Sequence, residues 1–141
     1  MPRRSRKKPP RVFLSEPPYL HLIQHMFETI ARHDILPKES WRVLAMIFAR
    51  CDWGNVLPIH QADMARELGI SPANVNKAIK HLLRRRVLLR FKEPGRHAEY
   101  KLNASLAIKG HNGEERDRIR RLYSDDILLH ESAIEWERPS A

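Results

Sequence analysis

The run Gln61–Arg85, QADMARELGISPANVNKAIKHLLRR, decides the fold. Met64, Ala65 and Leu68 recur at helical spacing and predict a short helix over Gln61–Leu68. Gly69 stands just past its end, where a left-handed residue commonly closes a helix. Ser71-Pro72 then supplies a capping hydroxyl and a first-turn proline, a helix start. Val75, Ile79, Leu82 and Leu83 form the inward stripe of a second helix that runs to about Arg85. A small residue where two helices cross, a glycine at the bend and two apolar residues packing back describe a helix-turn-helix.

Downstream, the apolar period falls from about 3.6 to 2. Val87–Lys92 and Ala98–Leu102 read as two strands, joined by residues 93–97 with a Pro94-Gly95 turn. Upstream, Leu20, Ile23, Phe27 and Ile30 predict a helix over Tyr19–Arg32. Pro37 opens another, with Trp41, Leu44, Ala45 and Phe48 on one face. Cys51–Asn55 reads as a turn and Val56–Ile59 as a short extended piece. Residues 103–113 carry two glycines and are expected to wander, before helices over Glu114–Tyr123 and Ile127–Trp136. The fold class is therefore mainly α with a small β-hairpin (α+β), a winged helix-turn-helix. The domains expected are a basic disordered arm (1–17), the winged domain (18–110) and a C-terminal helical extension (111–141) that serves dimerisation.

Charge points to the partner. The 141 residues hold 26 Lys and Arg against 17 Asp and Glu, a net charge of +9, and 42% are hydrophobic. A chain with a real core and this excess suits a polyanion. Residues 2–11 hold six basic residues, three prolines and no acid. Residues 71–101 hold nine (Lys77, Lys80, Arg84, Arg85, Arg86, Arg90, Lys92, Arg96, Lys101) against Glu93 and Glu99. Residues 114–137 reverse the sign, with eight acids and four arginines. A solvated surface explains any one run; two basic runs flanking one compact unit ask for more.

In a winged helix-turn-helix the second helix enters the major groove and its first turns face the base edges. Ala73, Asn74, Asn76, Lys77 and Lys80 point away from the inward stripe. Asn74 and Lys77 suit adenine and guanine edges; Ser71 and Lys80 suit the backbone. Arg90, Lys92, Arg96 and His97 of the hairpin suit phosphate or minor-groove contacts. Arg3, Arg4, Arg6, Lys7 and Lys8 of the arm would add salt-sensitive affinity without sequence information. For Arg84–Arg86, attraction of cations to a helix C-terminus is an equal explanation.

Catalysis finds no support in the spacing. Eight histidines form no His-X-His or His-Glu-X-X-His pattern, and one cysteine, Cys51, allows neither an internal disulfide nor a zinc cluster. His21 and His25 fall four apart on one helix face, a spacing met more often in plain surface pairs than in metal sites. No phosphate-binding glycine loop occurs, and Tyr100 reads as a core residue of the second hairpin strand. No enzyme, cofactor or metal is expected. The longest apolar run, Val43–Ala49, is seven residues against the roughly 20 of a membrane span. No apolar stretch follows the basic N-terminus, so no secretory signal and no membrane partner is expected; the lone thiol suits the cytoplasm.

The segment Tyr100-Lys101-Leu102-Asn103, then Ala104–Leu106 and Ala107-Ile108-Lys109-Gly110, resembles part of the RepL-type plasmid replication proteins. There the last wing strand ends in a (Leu/Ile)-Asn-Pro phrase, followed by a few apolar residues, a basic-Gly pair and an acidic, helix-prone tail. The resemblance spans about residues 20–130. Ala104 stands where that family usually has proline, and Arg86 where winged-helix proteins commonly place glycine at the helix end. The resemblance implies an initiator or maintenance factor of a plasmid or mobile element that binds origin DNA and recruits host replication proteins.

Three readings follow, from two different classes. The leading one is sequence-specific double-stranded DNA binding in replication of an extrachromosomal element; its near alternative is a winged-helix transcriptional regulator, MarR-like or a copy-control repressor. A non-enzymatic module binding RNA or an acidic protein is the third, and it lacks the aromatic stacking surface of single-strand readers. A homodimer through Ile119, Leu122, Ile127, Leu128 and Ile134 would place two such helices about one DNA turn apart; the alternative is that these side chains fold back on the same domain.

Overall fold

The computed structural model describes residues 19–92, 94–95 and 97–129. The arm residues, Arg96 and Ile134 lie outside them. The chain is mainly helical with small antiparallel sheets. Its elements run β1 (His21–Leu22), α1 (Gln24–His33), α2 (Lys38–Arg50), a 3-10 turn (Trp53–Asn55), β2 (Val56–Leu57), α3 (Gln61–Leu68), α4 (Pro72–Arg84), β3 (Leu88–Phe91), β4 (Glu99–Leu102), β5 (Ala107–Ile108) and α5 (Gly113–Tyr123).

α2, α3 and α4 pack as a trihelical unit. Its core is Val43, Leu44 and Ile47 of α2, Met64 and Ala65 of α3, and Val75, Ala78, Ile79 and Leu82 of α4, all buried. The stripe on α2 is rotated from the expected one. Ser40, Val43, Leu44 and Ile47 are buried, Trp41 and Phe48 are half-buried on its flank, and Ala45 faces solvent. On that flank Phe27 of α1 packs against Phe48 with the rings tilted at 53° and their centroids 5.6 Å apart, so α1 covers this side of α2.

The sheet order is β2-β4-β3, so the strand between α2 and α3 pairs with the hairpin that follows α4. Leu88 opposes Leu102 at the open end of the hairpin, and Phe91 opposes Glu99 toward its tip. Leu88 and Leu102 are buried, whereas Arg90 and Phe91 are exposed, so the hairpin is anchored at its base and projects at its tip.

Three expectations for the flanking segments are corrected. The first helix begins at Gln24 rather than Tyr19, because His21 and Leu22 pair as a strand with Ile108 and Ala107. His21 and His25 therefore share no helix face. Residues 103–110 do not wander, since two buried asparagines hold them. Asn103 donates from Nδ2 to the carbonyls of Arg86 (2.7 Å) and Asp125 (2.9 Å), and its Oδ1 accepts from Ser105 and Asp125. Asn55 donates to the carbonyls of Leu102 and Ala107, each at 2.9 Å, and accepts from Lys109 N at 2.8 Å. Short-range periodicity carries no signal for such bonds, whose partners, Ser105 apart, lie 17 to 54 positions away. Third, Ile127–Leu129 are irregular rather than the start of a helix, because Leu128 N donates to Arg85 O at 3.0 Å and ties this strap to the end of α4.

The dimer surface is corrected in the same way. Ile119, Ile127 and Leu128 are buried within their own chain. Ile119 packs on Ala104 and Ile108 in a small second core, and Ile127 joins the main one. Of the described residues expected at that surface, only Leu122 is exposed.

Candidate nucleic-acid interface

The bend between α3 and α4 is built as its residues require. Gly69 takes φ +67° and ends α3, and Ile70 N returns to Ala65 O at 3.1 Å. Ser71 caps α4, its Oγ accepting from Asn74 N at 3.1 Å, with Pro72 in the first turn. Arg42 of α2 donates to the carbonyl of Leu68 at 2.6 Å and clamps the end of α3. Sequence reading gave Arg42 no role, since its partner lies 26 positions away.

With Val75, Ala78, Ile79 and Leu82 turned inward, Ala73, Asn74, Lys77 and Lys80 are exposed on α4 and Asn76 is half-buried. Ser71 is exposed at its head. Lys77 and Lys80 make no ion pair among the described residues. Of the acids on α3, Asp63 pairs with Arg66 and Glu67 with Arg50, while Glu39 of α2 shares a cleft with Lys77. No acid occurs between Ser71 and Lys92, so the outer face of α4 carries cations and amides alone. On the hairpin, Arg90, Lys92 and His97 are exposed. Arg96 and the arm cations Arg3, Arg4, Arg6, Lys7 and Lys8 lie outside the described residues.

The structure sorts the remaining basic residues. Arg85 is buried and donates to Leu128 O at 3.1 Å. Arg86 pairs with Asp125 at 2.8 Å. Lys101 is buried with its Nζ 4.8 Å from the centre of the Tyr123 ring. These three cations hold the C-terminal strap and the outer side of the hairpin. Arg86 also explains how α4 ends without glycine. It takes φ +59°, its N donates to Leu83 O, and Val87 N donates to Leu82 O, the two bonds of a Schellman motif.

Cys51 is buried, and burial pushes its thiol up to about 11, against the partial opposing pull of Lys109. A thiol held protonated in this way is a poor nucleophile. No group of three or more metal-ligating side chains comes together among the described residues, and no helix there is long and apolar enough to cross a membrane.

A second feature adjoins the same face of α4 and shares Asn74 and Lys77 with it. A cleft of about 420 Å³ lies between the start of α2 (residues 37–40) and Asn74, Lys77, Ala78 and His81 of α4. Its two walls are over 30 residues apart in the chain, so spacing gave no hint of it. The chain matches no protein-family model, no curated protein and no solved structure.

Proposed function

We propose that this chain is a winged helix-turn-helix protein that binds double-stranded DNA sequence-specifically through α4, with the β3–β4 hairpin as its wing. The observation that carries the reading is the exposed face of α4, where Asn74, Lys77 and Lys80 stand together with no acid in the surrounding sequence from Ser71 to Lys92. Amides and amines there match the acceptors and donors of base edges in the major groove. Arg90 and Lys92 extend the same charge onto the hairpin, where phosphates would lie. The second strand-forming segment, β2, supports the assignment because it joins the hairpin from between α2 and α3, as that fold requires.

The biological setting we propose is replication of a plasmid or related element, and it rests on the resemblance of residues 100–110 to the RepL-type proteins. The residues that carry the resemblance are structural ones: Leu102, Asn103 and Gly110 are buried. They speak for a shared scaffold and leave the DNA sequence to the face of α4.

Selection of bound duplexes from a random pool tests both parts. A sharp motif is expected, relaxed at discrete positions by Asn74→Ala and Lys77→Ala, each lost base contact being worth about 1–3 kcal/mol. Reiterated direct repeats would favour an initiator, and a single palindrome a transcriptional repressor. Recovery of no motif, with affinity collapsing as salt rises, would sink the sequence-specific reading.

A further inference from the structure

We propose that the acidic C-terminal segment, residues 130–141, docks on the basic face of α4 and shields it until DNA displaces it. The first argument is where the strap delivers that segment. Leu128 N donates to Arg85 O at 3.0 Å, Arg85 donates back to Leu128 O at 3.1 Å, and Ile127 is buried in the main core. The chain therefore continues past Leu129 from a point fixed at the C-terminal end of α4, beside Arg84 in sequence. From that end a cleft of about 340 Å³ follows the helix, lined by Ala73, Asn76, Lys77, Lys80, His81 and Arg84.

Charge complementarity is the second argument. Residues 130–141 carry Glu131, Glu135 and Glu137 against Arg138, and no acid lines the cleft. Ala73, Lys77, Lys80 and Arg84 recur at the three-and-four spacing that places them on one side of α4, away from the buried Val75, Ile79 and Leu82. The last carbonyls of α4, which would repel a carboxylate, are already taken: His81 O by Arg85 N, Leu82 O by Val87 N and Leu83 O by Arg86 N. Glu39 shares the neighbouring cleft with Lys77 and competes for it, so Lys80 and Arg84 are the stronger contacts. Length fits as well. The 13 residues of α4 extend about 20 Å, and eight residues past Leu129 reach up to about 26 Å. The other end of the chain is excluded by charge, because residues 2–11 hold six cations and no acid.

The shielding rests on DNA binding by α4, whereas the docking does not. A segment that must leave before any duplex binds lowers affinity for every sequence by one factor and leaves base preference unchanged. Exposed ion pairs are individually weak, so three of them set that factor at about three- to tenfold. The test uses the ¹⁵N-labelled full chain with a nitroxide at Ser140→Cys, since the buried Cys51 thiol stays protonated and unreactive at neutral pH. Broadening of the Asn76, Lys77 and Lys80 amides is expected. It should be relieved in the triple variant Glu131→Gln, Glu135→Gln, Glu137→Gln, and in the labelled parent by about 1 M NaCl. The salt series needs no tail substitution, so it decides the docking even where the triple variant folds poorly. Without the label, the triple variant should bind matched and unrelated duplexes more tightly by that same factor. Its salt dependence should be steeper, because counterions then cover free α4 in place of the segment. Broadening that survives both the substitutions and the salt, or that is confined to the end of α4, overturns the docking. Relieved broadening with unchanged duplex affinity overturns the shielding. Where neither chain binds any duplex, the DNA-binding reading fails, and the broadening alone decides whether the segment docks.

Discussion

Asn103 is the residue on which most of the C-terminal half turns. Its side chain holds the carbonyls of Arg86 and Asp125 and receives the amides of Ser105 and Asp125, while its backbone N donates to Val87 O. Replacing it by alanine strands several buried groups at once, each worth about 1–3 kcal/mol when left unsatisfied. Asn103→Ala should therefore cost about 3 kcal/mol or more in denaturant unfolding, whereas Ser105→Ala should cost clearly less. Cys51 gives a second prediction at this scale. Burial pushes its thiol from the ordinary 9.0 up to about 11 in the folded chain. The folded state thus keeps a proton that the unfolded chain loses first, and this contribution to stability is present below pH 9 and lost as pH rises toward 11. Unfolding followed from pH 8 to 11 should show an alkaline loss in the parent that is smaller in Cys51→Ala.

Elements whose causes are local were legible in the sequence. Gln61–Leu68 is a helix with the expected bounds, Gly69 takes the left-handed turn, and Ser71 caps α4, because capping and bend chemistry act within four residues. The outward set on α4 followed from the same periodicity. Elements made by distant partners were not legible. Nothing within His21-Leu22 signals a strand, since its cause is Ala107-Ile108. Likewise the apolar side chains of Ile119 and Ile127, read as a surface seeking a second copy, find Ala104, Ile108 and the main core inside one chain. The cleft between the start of α2 and α4 lay out of reach for that reason too. Capping gives the prediction for this scale. Ser71→Ala removes the acceptor for Asn74 N and should cost about 1 kcal/mol in thermal unfolding, with the α4 amide exchange accelerated more than that of α2.

At the scale of the molecule, residues 111–129 close the fold instead of extending it. Asp125 meets Arg86, Leu128 meets Arg85 through two hydrogen bonds, and Tyr123 lies over Lys101 and against Phe91, so α5 and the strap brace both α4 and the hairpin. A chain ending at Gly110 loses Ile119, Ile127 and Leu128 from its core and uncovers Ala104 and Ile108. Burial of three such side chains contributes about 1.5–3 kcal/mol each. Calorimetry of that truncated chain should show a Tm lower by more than about 10 °C or no cooperative transition. The projecting tip of the hairpin should then lose its bracing, and DNA affinity should fall even where α4 is unaltered.

The pairing of His21-Leu22 with Ala107-Ile108 also fixes an order of events in time. During synthesis the first strand leaves the ribosome with nothing to join, and its partner is more than eighty residues behind it. At about 5–20 residues per second, that delay is on the order of 10 s. The helices assembled from residues 38–84 have local partners and need not wait. The beginning of the domain is thus among the last parts to be built, and in a mature molecule it is where fraying should begin.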